Sequence, residues 1–166
     1  MKREITIVGD IAIIQLTQGK SAVIDAEDVR LVSGFDWTVM NSARTSYAKK
    51  NDWRGGKQKS VLLHRVVFGA ADGVRIDHRD GDGLNCRKSN LRQATYRQNN
   101  LNTRGHIDSK TGLKGVSKHS LCNKYRAEIQ IGGKKKYLGL FETAAMAKAA
   151  YDLENAQIHG EFGGTK

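Results

Sequence analysis

The chain has 166 residues and carries 28 Lys+Arg against 17 Asp+Glu, a formal net charge of +11. That length suits one medium domain or two small ones, and that charge points to a polyanionic partner: nucleic acid, an anionic membrane surface or an acidic protein. The membrane reading is set aside, because no apolar run approaches the roughly 20 residues of a membrane span and no basic amphipathic helix is present.

The opening MKREITIVGD lacks a signal peptide's apolar stretch and small-residue cleavage site, so a soluble protein that stays where it is made is expected. Residues 1–59 then alternate like short strands. Ile5, Ile7 and Val8 come first, followed by Ile11, Ile13 and Ile14, then Ala22 to Ile24. Asp25 and Asp28 predict a helix start, with the helix running out by Gly34. Trp37 and Tyr47 lie in further strand-like stretches, and NDWRGGKQK (residues 51–59) reads as a polar hairpin loop. This region supplies a small core and basic residues that could face DNA, and it carries no evident chemistry.

Residues 60–104 follow the order helix, strand, loop, strand, helix. SVLLHRVVFG predicts a helix ended by Gly69, VRIDH a strand, RDGDGLNCRKSN a polar loop and LRQAT a second strand. Thr95 is placed to cap a helix over YRQNNLNTR. Cys86 lies in the loop and Cys122 far downstream; with no CxxC pair beside them they read as ordinary thiols rather than a zinc site. Residues 105–112 are polar, with Gly near both ends, and read as a linker.

From residue 113 to 166 the pattern changes. LKGVSKHS, NKYRAEIQIG and KKKYLGLFE predict three short strands joined by tight turns. In the second, Tyr125, Ala127, Ile129 and Ile131 alternate with Lys124, Arg126, Glu128 and Gln130, giving an apolar face and a polar one. Thr143 then caps an alanine-rich helix whose Ala147, Ala150, Tyr151 and Ile158 share a face that can lie close on the sheet. The whole chain is thus expected to be α+β. Its charge is uneven: the basic residues from Arg87 and Lys88 through to Lys136 are opposed only by Asp108 and Glu128. Any short basic run can be mere solvated surface, but this one spans a sheet face and a linker, the footprint of nucleic-acid binding.

Asp77-His78 ends the predicted strand, Asn90 closes the loop and Asn99 sits in the helix beyond. Phosphodiester hydrolysis needs a base for water, a cation to neutralise developing charge, and ligands for that cation. Histidine gives up its proton near neutral pH, and Asp and Asn oxygens suit a hard ion such as Mg²⁺. Adjacent strand residues point to opposite faces, so Asp77 and His78 can serve one site only if the backbone turns there. By spacing alone the same residues could equally form an Asx-rich turn with a capping histidine.

LHRVVFG…VRIDHRDGDGLNCRKSNLRQATYRQNNLN resembles the His-Asn-His endonucleases, in particular phage and bacterial homing-type members with Asn as the third letter. The resemblance implies a ββα-metal core and a catalytic set of His78 as general base and Asn90 as the residue that ties the loop together. It also implies one Mg²⁺ or Mn²⁺ ion held by Asp77 and Asn99. His64 and Arg65 match a pair usual in this group and read as packing or phosphate-contacting rather than metal-binding. LKGV, KYRAEIQI, KYLGLFETAAMAKAAYD and HGEF resemble the plant ethylene-response-factor (Apetala-type) DNA-binding domain, which lays a three-stranded sheet in the major groove. Carried across by position, the DNA-facing residues are Lys114, Lys118, His119, Lys124, Arg126, Glu128, Gln130, Lys135 and Tyr137. Arg126 and Gln130 are placed to read base edges and the lysines to hold phosphate. The family's arginine and tryptophan positions hold Ser117, Leu121, Gln130 and Tyr137 here. Together the two resemblances imply a metal-dependent DNA endonuclease, monomeric or dimeric on double-stranded DNA, in the cytoplasm of a bacterial or phage-infected cell. Its rivals are a non-catalytic DNA-binding regulator and a general basic nucleic-acid-binding protein.

Overall fold

The computed structural model describes residues 4–54, 56–101 and 110–163. Strands β1 (Ile5–Val8), β2 (Ile11–Gln15) and β3 (Ser21–Asp25) form a three-stranded antiparallel meander. Its register sets Ala12 opposite Ile24 and Ile14 opposite Ala22, so the four buried side chains share one face. The helix expected from Asp25 to Gly34 is shorter: a 3-10 turn over Ala26–Asp28 leads into the single turn α1 (Val29–Val32), and Asp25 makes no side-chain cap bond. Its carboxylate is drawn elsewhere, as shown below.

Strands β4 (Thr38–Asn41), β5 (Ser46–Arg54) and β6 (Lys57–Leu62) form a second antiparallel sheet. The stretch expected as a polar loop over residues 51–59 is mostly ladder, with Asn51 opposite Ser60 and the pairing running out to Arg54 opposite Lys57. Gly56 takes φ 74°, which no side-chain-bearing residue adopts cheaply, so the reversal uses this glycine and the ladder resumes at Lys57. Helix α2 (Leu63–Phe68) stops at Gly69 in the left-handed region, as its sequence predicts. Strands β7 (Arg75–His78) and β8 (Leu91–Ala94) pair antiparallel, and α3 (Tyr96–Leu101) follows. The rest of the expected helix and residues 105–109 of the expected linker lie outside the described residues.

One apolar core ties these pieces together. Ala12, Ile14, Ile24, Trp37 and Ala48 from the first sixty residues pack with Leu63, Val67, Cys86 and Leu91 from the stretch beyond. Trp37 is fully buried, and its indole N–H donates to the Val32 carbonyl at 2.9 Å. Truncating such a residue to alanine costs roughly 3–5 kcal/mol. The chain divides after Tyr96, giving a first compact unit, Met1–Tyr96, and a second, Arg97–Lys166.

In the second unit β9 (Val116–Lys118), β10 (Tyr125–Ile131) and β11 (Lys134–Phe141) form a sheet in the order β11-β10-β9, backed by α4 (Ala144–His159). The Thr143 hydroxyl accepts from the Met146 N–H at 3.2 Å, the expected cap. Val116, Ala127 and Ala147 form the small core, with Leu113, Tyr125, Leu138 and Phe141 around them. Gly115 sits at φ 72°, and a Cβ there would fall 2.1 Å from the Tyr151 ring, so the LKGV glycine lets the chain pass beneath α4. No described helix is long and apolar enough to cross a membrane.

Candidate active site

The site is assembled by the β7–β8 hairpin and the loop it encloses. Antiparallel register sets Asp77 opposite Arg92 and His78 opposite Leu91. Arg92 donates through Nε at 2.8 Å and through its terminal nitrogen at 2.7 Å to Asp77 Oδ2, with both side chains buried. The strand ends at His78, whose carbonyl accepts from the Gly81 N–H at 2.9 Å, and the chain turns into the polar loop.

That loop is held by its own polar side chains. Asn90 accepts from the Asp80 N–H at 3.0 Å and donates to Asp80 Oδ1 at 2.9 Å and to the Asn85 carbonyl at 2.8 Å. Asp80 and Asp82 in turn accept from the N–H groups two residues on, at 2.8 and 3.0 Å, the Asx geometry that tightens turns. The Asx turns weighed against catalysis from spacing are therefore present, but they lie in the loop, and the His78 ring points elsewhere.

It packs against two other rings. The His64 ring on α2 meets it edge-on with centroids 4.8 Å apart, and Tyr47 on β5 lies 5.8 Å from His64 and 5.9 Å from His78. Burial, with lesser repulsion from His78 and Arg65, pushes the His64 imidazole down to about 3, so it stays neutral at physiological pH. Burial and then the charge of Asp77 push the Tyr47 phenol up. Arg65 donates to the Val74 and Ala71 carbonyls, so of the two readings offered for it the structure shows the packing one. Tyr47 is the residue sequence reasoning missed. Its partner signal was Gly83: a Cβ there would come within 2.6 Å of the Tyr47 ring and 2.5 Å of the Ser46 carbonyl oxygen. The glycine lets the loop close over Tyr47, where the Gly83 N–H donates to Thr45 Oγ1 at 2.9 Å.

The N-terminal sheet also grips this loop from below. Val23 forms a parallel bridge with Asn85, and the Cys86 N–H donates to the Val23 carbonyl at 2.8 Å. Arg87 reaches Asp25 at 2.8 Å and Asp10 at 2.6 Å, and Lys88 Nζ reaches Glu27 at 2.9 Å and Asp28 at 2.7 Å. Hydrogen bonds to Asp28 and Glu27 hold the Lys88 ammonium up at about 12. These two members of the basic run thus face carboxylates, a use invisible while Asp25 and Asp28 read as helix starters. Cys86 is fully buried and its thiol is pushed up to about 12, which makes it inert.

Asn99 lies half-buried in α3, beyond the division at Tyr96, in the second unit. In the sheet of that unit, register places Arg126 with Ser117 and Leu140, Glu128 with Tyr137, and Gln130 with Lys135 on the face turned from α4. Arg126 pairs with Glu128 and stands 5.6 Å from the Tyr137 ring centroid. Lys118 instead pairs with Tyr125 and so takes the other face, at the sheet's edge. Lys124 reaches Glu142 at 2.6 Å. His119 stands in the turn before β10, where its Nδ1 accepts from the Leu121 N–H at 3.2 Å. Lys114 lies half-buried before β9.

Residues 61–101 match the HNH endonuclease family. The matched stretch runs from the end of β6 through α2, the hairpin and its loop to α3, so it contains Asp77, His78, Asn90 and Asn99 and leaves out Tyr47. The chain is similar to Uncharacterized HNH endonuclease L560 of Acanthamoeba polyphaga mimivirus, 26% identical over 151 residues that cover 87% of this chain and 74% of that protein. It is also similar to Protein 3.8 of Escherichia phage T7, 28% identical over 109 residues that cover 63% of this chain and 89% of that protein. No solved structure matches it. The comparisons point to a DNA-cleaving hydrolase.

Proposed function

We infer that the protein is a metal-dependent, homing-type DNA endonuclease with His78 as its general base. The observation that carries this reading is the turn at the end of β7. It stops the strand at His78, within a stretch that matches the HNH endonucleases, and Asn90 staples the loop behind it. His78 takes a proton from water on a ring nitrogen as the water attacks phosphorus in line, leaving 5′-phosphate and 3′-hydroxyl ends. Tyr47 and His64 hold the imidazole in place, and His64, being neutral, adds no competing charge.

Asp77 and Asn99 would hold the cation, Mg²⁺ or Mn²⁺. An Asp carboxylate and an Asn carbonyl are the hard oxygens such ions take, although Arg92 already holds Asp77 Oδ2 and no group of three acidic, His or Cys ligands exists among the described residues. When bound, the ion neutralises charge developing on the phosphate and leaving oxygen. The outer face of the C-terminal sheet, with Arg126, Gln130, Lys135 and Tyr137, is the surface that holds the duplex in this reading, its basic and polar side chains turned from α4.

A second reading draws on the burial of Asp77 and His78, both 6% exposed: a DNA-binding regulator whose hairpin is only a scaffold. Supercoiled plasmid incubated with and without Mg²⁺ decides between them. Metal-dependent conversion to nicked or linear product is expected, and His78→Ala should abolish it while DNA binding persists. Undiminished, EDTA-sensitive cleavage by pure His78→Ala protein overturns the assignment of the base. No conversion of plasmid that is demonstrably bound selects the regulator.

A further inference from the structure

The sheet β4-β5-β6 is longer than its core requires. Strand β5 pairs with β4 only through Lys49, and from Lys50 to Arg54 it pairs with β6 alone. Those five pairs extend about 16 Å at the usual rise per residue. None of the described residues between Lys49 and Leu62 enters the hydrophobic core. A bare two-stranded ribbon is marginal by itself, so a ribbon this long calls for a use outside the fold.

Its surface indicates what that use is. Asn51, Trp53 and every residue from Gly56 to Ser60 are exposed. Trp53 is 71% exposed, near the tip. Lys49 shares the Trp53 face, and Lys50, Lys57 and Lys59 stand on the other, where Lys50 lies over the Phe35 ring and Lys59 reaches Asp72 at 3.9 Å. A ribbon with an exposed aromatic ring on one face and cations on both fits a groove of duplex DNA, which exposes base edges on its floor and phosphates along its walls. The major groove, about 12 Å wide, admits a two-stranded ribbon. Strand alternation also ties the ribbon to the site. Tyr47, Lys49, Asn51 and Trp53 share one face of β5, and the Tyr47 end of that face meets the His78 ring.

We propose that the ribbon from Lys50 to Ser60 is a DNA-binding arm that lies in a groove of the duplex beside the site, with Trp53 against the base edges and the lysines on the phosphates that flank them. It lies outside the family-matched stretch and adds a contact surface separate from the C-terminal sheet. It rests on the reading of duplex DNA as substrate.

The protein carries its own probe. It has two tryptophans, Trp37 fully buried and Trp53 exposed, so acrylamide reaches Trp53 selectively. The full chain is titrated in EDTA with a 30-base-pair duplex, and tryptophan emission is read alongside the anisotropy of the labelled DNA. Emission should change and acrylamide access fall, both saturating with the anisotropy. Trp53→Ala, at an exposed position, should keep its melting temperature and lose several-fold in affinity for the duplex. Lys57→Gln with Lys59→Gln should reduce the salt slope of binding by about two. Duplex binding that leaves Trp53 emission and acrylamide access unchanged overturns the arm, as does full affinity in Trp53→Ala. So does a concentration-dependent emission shift without DNA, which marks a contact between two copies instead. Mg²⁺-dependent nicking with an unresponsive Trp53 sinks the arm and keeps the nuclease. A responsive Trp53 without nicking keeps the arm and sinks the nuclease, and absence of any duplex binding sinks both.

Discussion

Arg92 and Asp77 meet in the first unit with side chains 6% and 7% exposed, whereas Lys136 and Glu154 meet in the second with side chains 54% and 20% exposed. The closest approach is alike, at 2.7 and 2.8 Å, although Arg92 brings two nitrogens to one oxygen and Lys136 brings one. What differs is the solvent. Out of water, a lost partner leaves a charge that nothing compensates; in water it is rehydrated and screened. A different contrast runs through the basic residues as a class. Arg87 and Lys88 are paired with Asp10, Asp25, Glu27 and Asp28, while Lys118, Lys134 and Lys135 are exposed on the C-terminal sheet. Net charge counts all of them equally, although the first group already answers carboxylates of its own fold.

The sharpest way to break this contrast is Arg92→Ala. Removing one partner of the buried pair should lower the unfolding free energy of the first unit by roughly 3–5 kcal/mol in urea denaturation. A loss under about 1 kcal/mol would place the pair with the surface bridges. Gly83→Ala comes next. With a Cβ driven against the Tyr47 ring and the Ser46 carbonyl, the loop must lift, at a cost of roughly 1–3 kcal/mol. Cleavage by that variant should fall in kcat more than in KM, because the wall around His78 moves while the DNA-binding surfaces do not.

His64 sharpens the comparison through pH. Its folded value of about 3 lies below the ordinary 6.5, so between those values the unfolded chain binds a proton that the folded protein refuses. Stability is therefore full above about pH 6.5 and falls as the pH drops through that window. Urea unfolding at pH 7 and pH 4.5 should show a drop in wild type that is smaller in His64→Gln; equal drops would show that the ring is protonated in the folded protein. The smallest effect belongs to Lys136→Ala, which should leave the urea midpoint of the second unit unchanged.

The second unit could be read almost entirely from its sequence. Alternation in Tyr125–Ile131 assigns the two faces of β10, Thr143 announces its helix, and both signals are local. In the first unit α2, β7 and β8 were readable for the same reason. The site was readable only in its letters. Asp25 looks like a cap because capping is a short-range habit, yet it answers Arg87, 62 positions away. Arg92 looks like surface because charged residues usually are, and only the β7–β8 register reveals that it neutralises Asp77. Tyr47 carries no motif at all. It matters because Gly83 makes room for it, and that pairing exists only once the chain has folded.

The single core of the first unit has a consequence for anyone who would move this active site elsewhere. A transplant limited to residues 61–101 would carry the catalytic letters but leave behind Ile14, Ile24 and Trp37, against which Leu63 and Leu91 are buried. It would also leave behind Tyr47 and the four carboxylates that restrain Arg87 and Lys88. Such a graft would be a floor without walls, greasy on one side and bristling with uncompensated cations on the other. A portable cassette would have to run from the N-terminal sheet through α3, keeping both the core behind the hairpin and Asn99.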